Sequence, residues 1–311
     1  MRIGVIVNET VARRPASIDQ LIEQVAGIRR DGFSAAIFAQ RSGVDALTVI
    51  ALVGRVVPDL ELATGVVPIY PRHPVALAQQ ALTVQAAITD RLTLGLGLSH
   101  KPVVENSWGL SFESPVEYMR DYLAILQPLL HGDAIEFDGR QIKARTQLSM
   151  PDAAPPAVVL AALGERMLRL AGSDTDGTAT WMVGPKTLAS HVTPIITAAA
   201  SAAGRPSPRI IVGLPICVTS DPEAARARAE RGFGRYGSLP SYRAMLDREG
   251  ATSPVDVALI GSESEVEAQL AAIEHAGGTE LSASVFGSSE EHLRTFEFLK
   301  AQVANVRSTP V

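Results

Sequence analysis

The sequence predicts an α/β fold on a parallel sheet, most economically a single (β/α)8 (TIM) barrel. Three observations carry that prediction. Apolar runs with strand character recur along the chain, the clearest of them are apolar at nearly every position, and helical periodicity fills the intervals. A strand that is apolar on both faces is buried on both, the condition of a parallel sheet covered by helices. The clearest unit is residues 61–100. Leu62 to Val67 form one apolar run, Pro68 ends it, and a loop carries Arg72, His73 and Pro74. A helix follows with Val75, Ala78, Leu82, Gln85 and Ile88 on one face, and the next run, Leu92 to Leu98, stops at Ser99 and His100. Polar residues therefore collect where strands end, and α/β folds place their sites at the carboxyl ends of parallel strands.

Strand-like runs lie at residues 2–7, 35–39, 62–67, 92–98, 157–162, 177–182, 209–218 and 280–286. Helical stretches are expected at 17–30 (with Ser17 as cap), 45–56, 75–88, 116–130, 166–172, 185–203, 222–236 and 263–275. Ser114-Pro115, Asp221-Pro222-Glu223 and Ser262-Glu263 are start signals. Strands alternating with helices in this number favour a closed barrel over an open sheet. Two stretches break the spacing and read as insertions on one domain spanning 1–311. Residues 132–156 hold Asp138-Gly139 between two short extended runs, a hairpin signal, and then a link with Pro151, Pro155 and Pro156. Residues 237–261 form a second irregular stretch with Pro240 and Pro254.

Composition narrows the classes of function. Of 311 residues 46% are apolar and 20% charged, enough for a large core. A net charge of −5 with no run of five like charges argues against a nucleic-acid partner. No apolar stretch approaches the roughly 20 residues of a membrane span. The chain enters a strand at Ile3 without a charged and apolar leader, so a cytoplasmic protein is expected. The single cysteine, Cys217, excludes an internal disulfide and a cysteine-based metal site, and its strand setting reads as a buried small hydrophobe. No metal is expected.

RHPVALAQQALTVQ followed by DRLTLGLGLSH resembles the signature of bacterial luciferase-like monooxygenases, and more narrowly the branch that uses the deazaflavin coenzyme F420. The likeness continues through Trp108-Gly109, EYMRDYLAILQPLLHGDAIEFDGR and AALGERMLRLAGSDTDGTATWMVGP, collinear over most of residues 1–290. It implies a luciferase-like barrel, coenzyme F420 as cofactor with flavin mononucleotide (FMN) as the alternative, a small-molecule substrate and a homodimer. It also implies a cofactor surface of Gln40, Gly65, Val66, Gly97, Ser99, Ala162, Leu163, Gly164, Glu165, Arg166 and Trp181. Many relatives carry a non-prolyl cis peptide in the third strand, and the matching bond is Gly65–Val66.

The residues themselves bear on each of these positions. Gly95-Leu96-Gly97 could open a dinucleotide fingerprint, but position 100 is His100 and the glycines lie inside a strand, not in a loop opening a helix. Glycine inside a strand marks a close approach of another group, read here as a flat ring over the strand ends. Ala161 to Arg166 give strand, glycine turn and helix start, where free N–H groups and the helix dipole favour an anion. An ordinary strand-to-helix turn would look the same, and the resemblance tips the reading toward the cofactor phosphate. Gly164→Pro is expected to remove an N–H there and to impose the wrong backbone angle. Trp181 and Met182 line the same region or belong to the core, and Gly184-Pro185 open the next helix there.

Deazaflavin-dependent dehydrogenases of the branch often carry an Asp-His pair after the second strand. Here that place reads Phe38-Ala39-Gln40-Arg41, so the branch's general base has no counterpart. The remaining proton-transfer candidates are His100, Tyr70 and His73, the last beside prolines and so more readily a loop residue. His100 comes first, because it ends the fourth strand and an imidazole titrates near neutral pH. Arg41, Arg72 and Lys101 could neutralise an acidic cofactor tail, or be solvated surface charges. Phe38, Tyr70, Trp108 and Phe112 suggest an apolar or planar substrate. Three functions remain: a coenzyme F420-dependent oxidoreductase, an FMN-dependent luciferase-like monooxygenase, and a non-catalytic flavin- or deazaflavin-binding protein.

Overall fold

The computed structural model describes residues 1–8, 10–11, 14–40, 42–150 and 153–308. Arg41 and Pro151 lie outside the described residues. Each of the eight apolar runs is a strand: β1 Arg2–Ile6, β2 Ala35–Phe38, β3 Glu61–Thr64, β4 Leu92–Gly97, β5 Ala157–Ala161, β6 Gly177–Trp181, β7 Arg209–Val218 and β8 Glu280–Val285. Their order in the sheet is β5-β6-β7-β8-β1-β2-β3-β4, with β4 pairing again with β5. Parallel strands in that cyclic order, with helices between them, make a (β/α)8 barrel.

Two compact units divide the chain, residues 7–26 with 37–161, and residues 1–6 with 27–36 and 162–311. In the first, Leu62 of β3 lies opposite Leu92 of β4, and Thr93 opposite Ala157 of β5. Helix Pro74–Ala87 covers this part of the sheet through Leu77, Ala78, Ala81, Leu82 and Val84. Its proline sits at the first turn, where the missing N–H costs nothing. Helix Pro115–Leu130 buries Met119, Tyr122, Leu123, Ile125 and Leu126. In the second unit β1 and β7 flank β8, with Glu280 opposite both Arg2 and Ile211. Cys217 is fully buried in β7, and burial, then the nearby Glu291 carboxylate, pushes its thiol up to about 11. It is a core residue, as its setting suggests.

The helix starts largely follow the sequence signals. Ser17 and Gln20 cap each other, at 3.2 and 2.9 Å, Asp221 accepts from Ala224 N–H, and Ser262 with Glu265 forms a capping box. Ser114 departs from them: it is left-handed and makes no side-chain cap. The hairpin is present, Ile135–Asp138 with Lys143–Thr146, although Asp138 pairs with Lys143 inside the ladder and the turn is residues 139–142.

The stretch 237–261 is more regular than expected. It contains helix Pro240–Glu249, a 3-10 turn Pro254–Val257 and a strand Leu259–Gly261 that pairs with the end of β7. Pro240 and Pro254 occupy first-turn positions, and Gly250, at φ 76°, ends the helix in the left-handed region. Prolines that read as breakers are helix starts here. Helix Ser289–Ser308 had no counterpart among the expected elements.

Candidate active site

In the unit of residues 7–26 and 37–161 the site is built where β3 and β4 end. β3 stops at Thr64 and pairing resumes at Val67–Pro68, which lie opposite Leu96 and Gly97. Thr64 Oγ1 bridges the gap, donating to Gly95 O and accepting from Gly95 N–H, both at 2.8 Å. The Gly65–Val66 peptide bond is cis, as the resemblance implied. Gly65 is exposed and Val66 half-exposed, while Ala63, Thr64, Val67 and Pro68 on either side are buried. A short backbone surface is thus open to solvent within an otherwise buried strand.

The glycines of β4 have a different cause from the one expected. A Cβ on Gly95 would sit 2.0 Å from Thr64 O, and one on Gly97 would sit 2.5 Å from Val66 Cγ2. The close approach they allow is that of the interrupted strand β3, not of a ring lying directly on them. Gly97 therefore makes room for Val66.

Beyond Gly97, Ser99 is left-handed at φ 63° and half-buried. The turn leads into His100, also half-buried, whose carbonyl accepts from Val103 and Val104 N–H at 2.8 and 3.0 Å. Tyr70 lies two residues past Pro68, and Ile69 N–H donates to Gly97 O at 3.0 Å, so His100 and Tyr70 follow adjacent strand ends. Tyr70 is only 8% exposed, and its hydroxyl is buried without a hydrogen-bond partner among the described residues. Burial, with Tyr118 beside it, pushes the phenol up to about 12. It is a proton-holding group at any physiological pH.

Several candidate residues in this unit are engaged by their own neighbours. Gln40 uses both ends of its amide locally, donating to Asp45 at 3.3 Å and accepting from Ala46 N–H at 3.2 Å. Arg72 pairs with the Asp45 carboxylate, which also accepts from Thr48 and Gln80, and so is committed to the start of helix Ala46–Val56. Although burial alone would raise it, these bonds and the Arg72 charge hold Asp45 below the usual carboxylate range. His73 is a loop residue, its Nδ1 accepting from Val75 N–H at 3.3 Å. Lys101 is exposed, 3.8 Å from Glu105. Phe38 is fully buried in β2 and is core, not mouth.

In the unit containing residues 162–311, Ala162 is buried and Leu163 leads into Gly164, the N-cap of helix Glu165–Asp174. No side chain caps that start, and a Cβ on Gly164 would meet nothing within 4 Å. Gly164 has φ −75°, an angle proline also adopts, so the expected backbone conflict for Gly164→Pro does not exist. His191, 5% exposed, fixes the turn from behind: its Nε2 donates to Leu163 O at 2.8 Å. No signal in the sequence singled out His191, which lies 28 residues away in a π-helical turn. Glu165 and Arg166 are both exposed, and hydrogen bonding and charge from Arg169, at 2.7 Å, hold the Glu165 carboxyl below its usual range.

The next helix start in this unit is closed to a ligand anion. Glu249 accepts from Lys186 and Thr187 N–H at 3.1 and 2.8 Å, and its carboxylate fills the space beside Gly184. Gly184-Pro185 are therefore satisfied from within the chain. Trp181 ends β6 with its indole edge-on to Phe233 and Tyr236, at 6.1 and 5.9 Å between ring centres. Its Nε1–H is buried without a partner.

The profile of the luciferase-like monooxygenase family matches residues 1–280. The chain belongs to that family. An uncharacterised Mycobacterium tuberculosis member is 26% identical over 251 residues, 76% of this chain and 74% of its own length. The 5,10-methylenetetrahydromethanopterin reductase of Methanolobus tindarius is 28% identical over 192 residues, 62% of this chain and 57% of the reductase. Among solved structures, an F420-dependent secondary alcohol dehydrogenase superposes with a TM-score of 0.81 at 15% identity, covering 99% of both chains. The EDTA monooxygenase of Chelativorans gives 0.78 at 16%, covering 100% of this chain and 95% of that one. At such identities the superpositions establish the luciferase-like barrel alone. They agree with the strand order read above, and no described helix of the protein is long and apolar enough to cross a membrane.

Proposed function

We propose that this family member is an oxidoreductase that moves a hydride between coenzyme F420 and a small apolar or planar organic substrate. The observation that carries the reading is the Gly65–Val66 surface, exposed between buried neighbours at the end of β3. A reductase relative and an F420-dependent structural neighbour support it. A bound deazaflavin would supply the hydride chemistry, and the protein supplies position, exclusion of water and protons. Gly65 and Val66 would hold the ring, with Gly97 beneath Val66 and Ser99 at the next strand end. The N–H groups from Gly164 to Arg166 would hold the phosphate, with Ala162 and Leu163 leading into the turn and the helix dipole assisting. His100 is the first proton source, and Tyr70 is a hydrogen-bond donor to the reacting oxygen that stays protonated. We propose further that the protein is cytoplasmic and a homodimer, the state its resemblance implies.

FMN is the second reading, because EDTA monooxygenase and an FMN-bound diketocamphane monooxygenase share the fold. A non-catalytic cofactor-binding role is the third, motivated by the missing Asp-His pair after β2. Titrating the purified protein with F420 and with FMN separates the first two. Tight binding of FMN alone would replace the proposal. Oxidation of reduced F420 by a panel of enones and imines separates the first from the third, and the absence of turnover with every acceptor would leave a binding protein.

A further inference from the structure

The orphaned hydroxyl of Tyr70 points to what the substrate is. Buried hydroxyls almost always have a partner, and this one has none among the described residues. Tyr70 is held on two sides by rings of unequal security. Tyr118 stacks on it at 4.6 Å between centres and 15° between planes, and belongs to helix Pro115–Leu130. Tyr122, one turn further along that helix, is fully buried and donates to Arg72 O at 3.1 Å.

The other ring, Phe112, lies 5.5 Å away at 32° and is anchored by far less. Of residues 109–114 only Phe112 is not exposed, and Leu110 keeps 39% of its surface in water. The stretch begins at Gly109, φ 67° with open space around it, and ends at Ser114, φ 48° with no side-chain bond. Segments with few buried contacts between such turns are the first to open. Phe112 can leave Tyr70 at little cost, whereas Tyr118 cannot.

We propose that Phe112 occupies the place of a flat carbonyl substrate, which displaces it from beside Tyr70 and accepts a hydrogen bond from the Tyr70 hydroxyl. The chemical class follows from the surroundings. The vacated position is that of an aromatic ring, so the ligand is planar. The Arg72 guanidinium, two residues along the chain, is held by Asp45, so the single neutral donor of Tyr70 selects a neutral acceptor oxygen. Ketones, enones and quinones fit, and carboxylates do not. Phe112 is thus a specificity-determining residue, and Tyr70 touches the substrate oxygen. The substrate's fate rests on the oxidoreductase reading, while its binding does not.

The test uses acetophenone as the probe and benzoate as its anionic control, with binding to the full chain measured by equilibrium dialysis with and without F420. Acetophenone is expected to bind and benzoate to fail. Tyr70→Phe should weaken acetophenone about tenfold, the loss of one hydrogen bond. Phe112→Ala should tighten it severalfold by removing the competing ring. Phe112→Leu, which keeps the segment's apolar anchor, should fall between. Equal binding to wild type and Tyr70→Phe, or weaker binding to both Phe112 variants, would overturn the proposal. So would acetophenone failing to bind every variant. Coenzyme uptake in the same samples reports separately on the cofactor, so its failure is not confused with that of the substrate site.

Discussion

Polar groups at the two ends of the strands are answered to different degrees. At the amino-terminal ends two residues are heavily engaged, although Ser34 Oγ, just before β2, is buried without a partner among the described residues. Arg91, just before β4, donates to the carbonyls of Ile88, Leu60, Val57 and Gly54 at 2.7 to 3.1 Å, closing helix Ala46–Val56 and the loops on either side. Glu280, 6% exposed at the start of β8, takes two bonds from Arg209 at 2.6 and 2.9 Å. At the carboxyl ends, two larger buried donors, the Tyr70 hydroxyl and the Trp181 indole N–H, have no partner among the described residues. A donor left unpaired costs stability, so a group that answers it gains by binding there.

Substitutions should therefore separate into two kinds. Arg91→Ala has the largest expected effect, about 4 kcal/mol lost in urea unfolding, because four carbonyls lose a charged donor together. Coenzyme affinity of the folded fraction should not change. A loss below about 1 kcal/mol would mean that water answers those carbonyls equally well. His100→Asn comes next. It keeps hydrogen bonding and removes the acid, so turnover should fall about 10²-fold with coenzyme affinity unchanged. Unchanged turnover would pass the proton to Tyr70, to a water or to the substrate. Gly164→Pro is smaller, about tenfold in coenzyme affinity with unfolding unaffected, since φ −75° already suits proline and only the N–H is lost. A destabilised fold with normal affinity would show that the turn is structural.

What the sequence revealed, and what it hid, follow the same division. Leu62, Leu92 and Leu94 are buried because a parallel sheet buries both faces, and that pattern is visible without a structure. All eight strands were legible for this reason. Helix Pro240–Glu249 was hidden because a proline marks a start and a break with the same letter. The glycines of β4 signalled a close approach correctly, but a sequence does not name the visitors, and they were Thr64 at Gly95 and Val66 at Gly97. Asp45 engages Gln40 and Arg72 by contacts 5 and 27 residues long, for which no local spacing gives a hint. His191 supports the glycine turn from equally far away. Side chains that hold a site in place are chosen by tertiary contact, and they were the part least readable.

Tyr70→Phe gives the smallest effect and the sharpest test of the contrast. At pH 7 the wild-type hydroxyl is buried without a partner, so its removal should leave stability unchanged or raise it by up to about 1 kcal/mol. At alkaline pH the sign is fixed by proton linkage. Folded Tyr70 keeps its proton to about 12, whereas an unfolded tyrosine releases it near 10. Between those values the native state binds more protons, so wild-type stability falls as pH rises from 10 to 12. Phenylalanine has no proton to release, and the variant should lose stability less steeply over that window. The remaining slope belongs in part to Tyr118 and Tyr122, both raised by burial. Urea titrations at pH 7, 10 and 11.5 would measure both effects. Destabilisation by Tyr70→Phe at pH 7 would mean that the hydroxyl is already answered within the fold, and the carboxyl ends of the strands would then be finished in the same way as the starts.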